Sequence, residues 1–139
     1  MIEIIVRLYK IFGLAKDLHY TSGGPEFYGL HLLFDRIAEN LLDHADRIQE
    51  SYFLSRDLPP VPSAEIFAAA AESKQAPTIT GLLDLIRSTI YRIDQLSTET
   101  PDLAEGDKTI LGDISADLAS KAGFLRRTLK KGGKGIIGE

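Results

Sequence analysis

The chain has no cysteine, no tryptophan and a single methionine among its 139 residues. The lack of cysteine excludes disulfides, thiolate metal sites and cysteine nucleophiles. No uninterrupted apolar run approaches the ~20 residues that a membrane-spanning helix needs. The apolar N-terminal segment is broken by charges such as Glu3, Arg7 and Lys10, which is not the order of a signal peptide. We therefore expect a cytoplasmic protein without a membrane segment.

What is present is the composition of an ordinary globular domain. Hydrophobic residues make up 44% of the chain and charged residues 26%, and a chain of 139 residues can bury a core of its own. The net charge of −4 lacks the broad basic field of a dedicated nucleic-acid binder. A mildly acidic chain is instead suited to attracting cations.

Helical periodicity runs through most of the chain, and strand alternation is hard to find. Glycine pairs and a proline-rich stretch separate the periodic segments. The predicted helices cover residues 2–20, 25–55, 64–73, 77–96 and 107–131.

This order predicts an all-α four-helix bundle with a short extra helix between helices two and three. The connection between those two long helices has about 22 residues, enough to cross the bundle from end to end as in ferritin-like folds. Residues 1–131 are predicted to form this single domain, and residues 132–139 a flexible C-terminal tail.

The second predicted helix carries a stripe of histidine and carboxylate residues, which commonly bind metal ions, and this stripe is separate from the apolar face of the helix. On a continuous helix, the side chains in question fall within an arc of about 100°. They are His31, Asp35, Asp46 and Glu50. Apolar residues lie close to the same stripe and predict a partner surface. They are Tyr28, Leu32, Leu42 and Phe53.

The length of the stripe predicts a site shared between two chains. Asp35 and Asp46 are about 16 Å apart along a helix axis, whereas metal–oxygen bonds are about 2 Å long. One helix therefore cannot bring both ends to one metal, but an antiparallel copy across a two-fold axis can. His19, near the end of the first helix, is expected close to His31. Nitrogen and carboxylate donors together suit Fe(II), with Zn(II) as a competitor.

A family resemblance rests on the spacing of these residues. The pattern His19-(11)-His31-(3)-Asp35-(10)-Asp46-(3)-Glu50 resembles the ferroxidase signature of the Dps proteins, or mini-ferritins. The short helix after the proline-rich stretch is similar to the extra helix of that family. The resemblance covers nearly the whole chain, and its specific part is the segment 18–50.

The resemblance implies a ferritin-like shell of twelve subunits, with iron oxidised at sites on the two-fold interfaces. His19, His31 and Asp35 of one subunit would bind iron together with Asp46 and Glu50 of its neighbour. Fe(II) would be oxidised there, preferentially by hydrogen peroxide and otherwise by oxygen, and stored inside as a ferric mineral. The expected enzyme is a ferroxidase that protects against oxidative damage.

Two departures from the family pattern qualify these expectations. The tryptophan that usually follows the first histidine is Tyr20 here. The lysine-rich N-terminal arm that many relatives use on DNA is absent, which argues against DNA binding. Basic residues at the C-terminus keep DNA binding open, because many copies on one shell would bind phosphates together. They are Arg126, Arg127, Lys130, Lys131 and Lys134.

Two other interpretations remain open at this point. The chain is then either a structural or DNA-compacting Dps relative with little ferroxidase activity, or a helical interaction module that only dimerises through the stripe. The complete set of five ligands argues against both. Three aspartates of the fourth helix are further candidates for an acidic pore that admits iron: Asp107, Asp113 and Asp117.

Overall fold

The computed structural model describes residues 1–72 and 74–130, and the regular structure in these ranges is entirely helical. The α-helices in chain order are α1 (Ile2–Thr21), α2 (Phe27–Ala38), α3 (Leu41–Ile48), α4 (Ser63–Ala71), α5 (Ile79–Glu99) and α6 (Glu105–Leu129). A π-helix (Gln49–Phe53) and a 3₁₀ turn (Leu54–Arg56) continue α3.

The long helices pack as a four-membered bundle in which α2, α3 and the π-helix together form the second member. Helix α1 contacts α2, α3, α4 and α5, while α6 packs on α5 and α3. The short helix α4 lies against α1, after the proline-rich connection. The bundle core holds the largest fully buried side chains, which include Ile4, Leu8, Phe34, Ile48, Ile86 and Leu111. The predicted all-α bundle with a short extra helix is confirmed.

The prediction of one continuous second helix was wrong. Helix α2 ends at Ala38, and Glu39 has an extended backbone with ψ 145°. Asn40 has the left-handed φ of 68° before α3 begins. Asparagine tolerates this conformation better than most residues, so the chain can break here without glycine or proline. Asp46 and Glu50 therefore do not have the angular positions relative to His31 that one regular helix would give them.

The other helices begin and end close to where the sequence places them. Helix α5 starts two residues later than expected, after Thr78, whose Oγ1 accepts a hydrogen bond from the Gly81 amide at 3.0 Å. Ser63 is the first residue of α4 and not its cap. The predicted tail, residues 132–139, and the end of the predicted last helix, residue 131, lie outside the described residues.

From the sequence, we expect no membrane-spanning helix. Within residues 1–72 and 74–130, no helix combines the length and the apolar character needed to span a bilayer.

Candidate metal centre

His19 and His31 lie together where the end of α1 meets the start of α2. The turn between the two helices contains Gly24, whose φ of 81° favours glycine. The imidazole rings stack with centroids 3.6 Å apart and an angle of 22° between their planes. Each ring is also tied to the backbone of the other residue. Nδ1 of His19 is 2.7 Å from the His31 carbonyl oxygen, and Nδ1 of His31 is 3.0 Å from the His19 carbonyl oxygen.

These two hydrogen bonds determine which ring nitrogen of each imidazole carries the hydrogen. A carbonyl oxygen can only accept, so Nδ1 of each ring must carry the hydrogen. In the neutral form, the lone pair is then on Nε2, which is the atom available to a metal ion. Metal-binding histidines commonly have their other ring nitrogen held in this way. The structure therefore brings the two predicted nitrogen ligands together, with Nε2 as the unprotonated atom of each neutral ring.

Aromatic side chains surround the histidine pair. The Tyr20 ring meets His19 edge-on with centroids 5.3 Å apart, and the Phe27 ring lies 5.1 Å from His31. Tyr20 is 69% exposed. The histidine pair is therefore flanked by two aromatic rings.

Asp35, the predicted carboxylate partner of the histidines, is bound by a lysine. Its Oδ1 lies 3.2 Å from Nζ of Lys16, which precedes His19 by one turn of α1. The same ammonium group lies 5.5 Å from the centre of the Tyr20 ring. Lys16 therefore supplies a positively charged partner to this carboxylate.

The second half of the predicted site is not joined to the first within one chain. Asp46 on α3 and Glu50 in the π-helix are exposed. Asp46 lines an open cavity of about 230 Å³ with Gln49, Ser63 and other residues of α1, α3 and α4. Across residues 1–72 and 74–130, no three histidine or carboxylate side chains of one chain are grouped closely enough to hold a metal ion.

The apolar face predicted next to the stripe is exposed, with one exception. Tyr28 is 72% exposed, Leu32 51% and Leu42 37%. Phe53 was wrongly assigned to this face, because it is 7% exposed and belongs to the core. Because the break at Asn40 and the π-helix interrupt the regular helix, the Phe53 side chain points inward and not in the direction that a continuous helix would give it. The other three residues are exposed in the single chain.

The three aspartates considered for an acidic pore all lie beside cations. A carboxylate that is already neutralised is a poor attractor for Fe(II). The pairs are Asp107 with Arg56, Asp113 with Arg47, and Asp117 with Lys121 and His44. Asp107 is also buried and accepts a hydrogen bond from the Ala104 amide at the start of α6. Asp107 and Asp117 therefore have structural roles within the chain, whereas the pair of Asp113 with Arg47 is exposed.

Two lysines that matter here were missed by the sequence analysis. Lys16 lies three residues before His19, so a helical wheel would have placed both on one face of α1. Lys121 occupies a core position of α6, between Leu118 and Leu125 in an i, i+3, i+7 series. Its burial, with 3% of its surface exposed, is the more unusual feature of the two.

The basic residues at the end of α6 are exposed. Arg126, Arg127 and Lys130 line an open cavity of about 490 Å³ together with Phe124. The guanidinium of Arg36 lies 5.6 Å from the centre of the Phe124 ring. Lys131 and Lys134, the other basic residues considered for DNA, lie outside the described part of the chain.

Comparison with known proteins gives a structural likeness to a solved Dps protein. No protein-family model matches the chain. No curated protein matches it. The solved structure described as "X-ray structure of Dps from Thermosynechococcus elongatus" superposes with a TM-score of 0.78 at 21% sequence identity. The match covers 96% of this chain and 89% of that one. Over nearly its whole length, the chain therefore has the ferritin-like fold of this Dps protein.

Proposed function

We propose that the chain is a Dps-like mini-ferritin that oxidises Fe(II) at sites shared between two subunits and stores the ferric product in a hollow shell. The observation that carries this proposal is the histidine pair, in which backbone hydrogen bonds leave both Nε2 atoms free to bind iron. The fold of a Dps protein and the five ligand-type residues at the ferroxidase spacing support it.

Each group of the proposed site has a defined role. Nε2 of His19 and His31 would bind Fe(II), and the carboxylate of Asp35 would offset its charge once Lys16 moves aside. Hydrogen peroxide would accept one electron from each of two Fe(II) ions. Its O–O bond then breaks, and two protons complete two water molecules. The protein contributes by holding the iron ions with ligands that stabilise the higher charge of Fe(III).

Asp46 and Glu50 would come from the neighbouring subunit. Both are exposed and lie beyond the helix break, apart from the histidine pair of their own chain. An antiparallel copy, packed over the exposed Tyr28, Leu32 and Leu42, would carry its own pair to the histidines and create two equivalent sites. Twelve such subunits in a cytoplasmic shell would provide the cavity for the ferric mineral. Zinc, which accepts the same donors, would compete for the site.

The test is peroxide-driven oxidation of Fe(II) without oxygen, followed by ferric absorbance. We expect the wild-type chain to oxidise iron much faster than a His31→Ala, Asp35→Ala variant that still assembles. An Asp84→Ala, Asp94→Ala variant is the matched control, because both aspartates are exposed on α5. It should keep the wild-type rate. Equal rates for wild type and protein-free buffer would refute the catalytic proposal.

Two observations favour a second function, that of a structural or DNA-compacting relative with little oxidation. The Lys16–Asp35 ion pair occupies a predicted iron ligand, and the end of α6 carries exposed Arg126, Arg127 and Lys130. A gel-shift titration with duplex DNA at low and moderate salt separates the two functions. Binding that weakens steeply with salt, together with absent iron oxidation, would favour the DNA-compacting function.

A further inference from the structure

Lys121 is a buried charge at the centre of a small polar network in the core. Only 3% of its surface is exposed. Its Nζ donates to the backbone carbonyl of Glu39 and lies 2.8 Å from Oδ2 of Asp117, one turn earlier on α6. Burying an ammonium group is costly unless it is paired and hydrogen-bonded, and here it is both. A buried lysine that binds a carboxylate on its own helix and a backbone carbonyl at the end of α2 indicates a specific structural task.

The carbonyl that Lys121 binds lies at the break of the second bundle member. In a continuous helix, the Glu39 carbonyl would accept the amide of residue 43. The extended ψ of Glu39 and the left-handed φ of Asn40 redirect the chain at this point. Lysine side chains often bind carbonyls at helix C-termini, where the helix dipole also favours a cation. Lys121 therefore stabilises the broken conformation over the continuous one.

His44 extends the network to the helix that follows the break. Its Nε2 lies 2.8 Å from Oδ2 of Asp117, and a carboxylate can only accept, so Nε2–H donates. Burial opposes ionisation of Asp117, but the hydrogen bonds from Lys121 and His44 outweigh it and lower its pKa. One ionised carboxylate on α6 thus holds Lys121, which binds the end of α2, and His44, which belongs to α3. The network fixes both sides of the break to a single helix.

The break separates the two halves of the proposed oxidation site. His31 and Asp35 precede it, while Asp46 and Glu50 follow it. In a two-fold dimer, His31 and Asp35 of one subunit must lie next to Asp46 and Glu50 of its partner. The angle between α2 and α3 therefore decides whether these ligands converge. Small displacements of ligands are enough to lower metal affinity and rate.

We infer that Lys121 is a positioning residue for the iron site, which it controls by fixing the angle between α2 and α3. This inference rests on the proposed function. Removal of its ammonium group in Lys121→Met should leave an assembled protein whose two helices sample other angles. Its Co(II) affinity and its rate of Fe(II) oxidation should fall about 10- to 100-fold. Lys121→Arg, which keeps the charge and the donors, should restore much of both.

The angle itself can be measured because the chain contains no cysteine. Spin labels on Gly29→Cys and Asp43→Cys flank the break, and a side chain at Gly29 meets nothing within 4 Å. Labelled subunits are diluted with unlabelled ones. The distance distribution between the two labels should be narrow in protein that keeps Lys121 and shifted or broader in Lys121→Met. Lys108→Met, a more exposed position on α6, is the matched control and should change neither distance nor affinity.

The outcomes separate this inference from the proposed function. Wild-type protein that neither binds Co(II) nor oxidises Fe(II) overturns both. Wild-type protein that does both, with Lys121→Met equal to it in distance, affinity and rate, overturns only the positioning role. If Lys121→Met fails to assemble, Asp117→Asn provides the second variant, since it keeps the lysine but removes its counter-charge. An unchanged label distance and metal affinity in Asp117→Asn would also contradict the inference.

Discussion

His19 and His31 are held by the backbone before any metal binds. Each Nδ1–H donates to the carbonyl oxygen of the other residue, at 2.7 Å and 3.0 Å. The reciprocal arrangement requires the two helices to meet at this point, and two backbone carbonyl oxygens then orient the two rings. Under the proposed function, a metal ion would meet donors whose tautomer and orientation are already set, which reduces the entropic cost of binding.

At the same scale, Lys16 restrains the site. Its ammonium group lies 3.2 Å from the Asp35 carboxylate, where, under the proposed function, it would compete with a divalent cation. Replacement by Lys16→Met removes the charge and keeps the length of the side chain. We expect Fe(II) or Co(II) to bind more tightly and Fe(II) oxidation to become faster at low iron concentration. Calorimetric titration with Co(II) and stopped-flow oxidation measure the two effects.

Lys10→Met is the control for this prediction, because it makes the same change two turns earlier on α1. It alters the net charge equally and should leave affinity unchanged. If Lys16→Met binds metal no better than Lys10→Met, or binds it more weakly, the competition between lysine and iron is not real. Weaker binding by Lys16→Met would indicate that Lys16 assists the site by orienting Asp35.

At the scale of helices, periodicity was sufficient to predict the bundle but not its broken member. The apolar stripes placed α1, α5 and α6 within a few residues, because core burial dictates which positions are apolar. The break at Glu39 and Asn40 carries no glycine or proline, and its stabilising partner Lys121 is 82 residues away in sequence. Local patterns cannot report such a contact. The spacing of the five candidate ligands could be recognised from the sequence because it depends only on which residues stand at which positions.

Gly81 is a glycine that packing requires. A Cβ atom added there would overlap the carbonyl oxygen of Ala76, in the chain that leads into α5. Gly81→Ala should therefore lower the free energy of unfolding by about 1–3 kcal/mol, because backbone atoms must shift to admit the methyl group. Chemical denaturation at a fixed protein concentration measures this change.

Gly112→Ala provides the comparison, because an added Cβ there meets nothing within 4 Å. This substitution in the interior of α6 should raise stability by about 0.5–1 kcal/mol through the lower entropy of the unfolded chain. Equal effects at the two glycines would show that the close approach of Ala76 to α5 is absent in solution.

Glu3 joins α1 to α5 through a bidentate ion pair. Its two carboxylate oxygens each lie 3.0 Å from the Arg92 guanidinium, and Arg7 adds a third contact. The hydrogen bonds from Arg92 lower the pKa of Glu3, with burial opposing and Arg7 adding to the effect. A lowered folded pKa contributes stability that is present above the unfolded pKa and lost as the pH falls through the folded one.

Glu3→Gln should therefore destabilise the protein at neutral pH, by no more than about 1 kcal/mol because the pair is partly exposed. The difference from wild type should shrink as the pH drops below about 4. Urea unfolding at several pH values measures it, with Glu72→Gln as an exposed control. A pH-independent difference would indicate that the loss comes from packing and not from charge.

For the whole molecule, the exposed apolar face predicts assembly. Twelve copies of a 15.3 kDa chain give a particle of about 184 kDa. Leu32→Glu places a charge where Leu32, 51% exposed in the single chain, would pack on a partner. We expect this variant to form smaller species in light scattering. Tyr91→Glu, at an exposed aromatic residue on α5, should leave the size unchanged; the reverse pattern would place the interface elsewhere.

The central claim, a site composed of two subunits, is tested most directly by complementation. One variant, His31→Ala, Asp35→Ala, lacks the first half of the site, and another, Asp46→Ala, Glu50→Ala, lacks the second. Neither should oxidise Fe(II) alone. Co-assembled in equal amounts, they should regain about one quarter of the wild-type activity, because half of the dimers are mixed and each restores one of two sites. A mixed assembly as inactive as its parents would contradict the shared site.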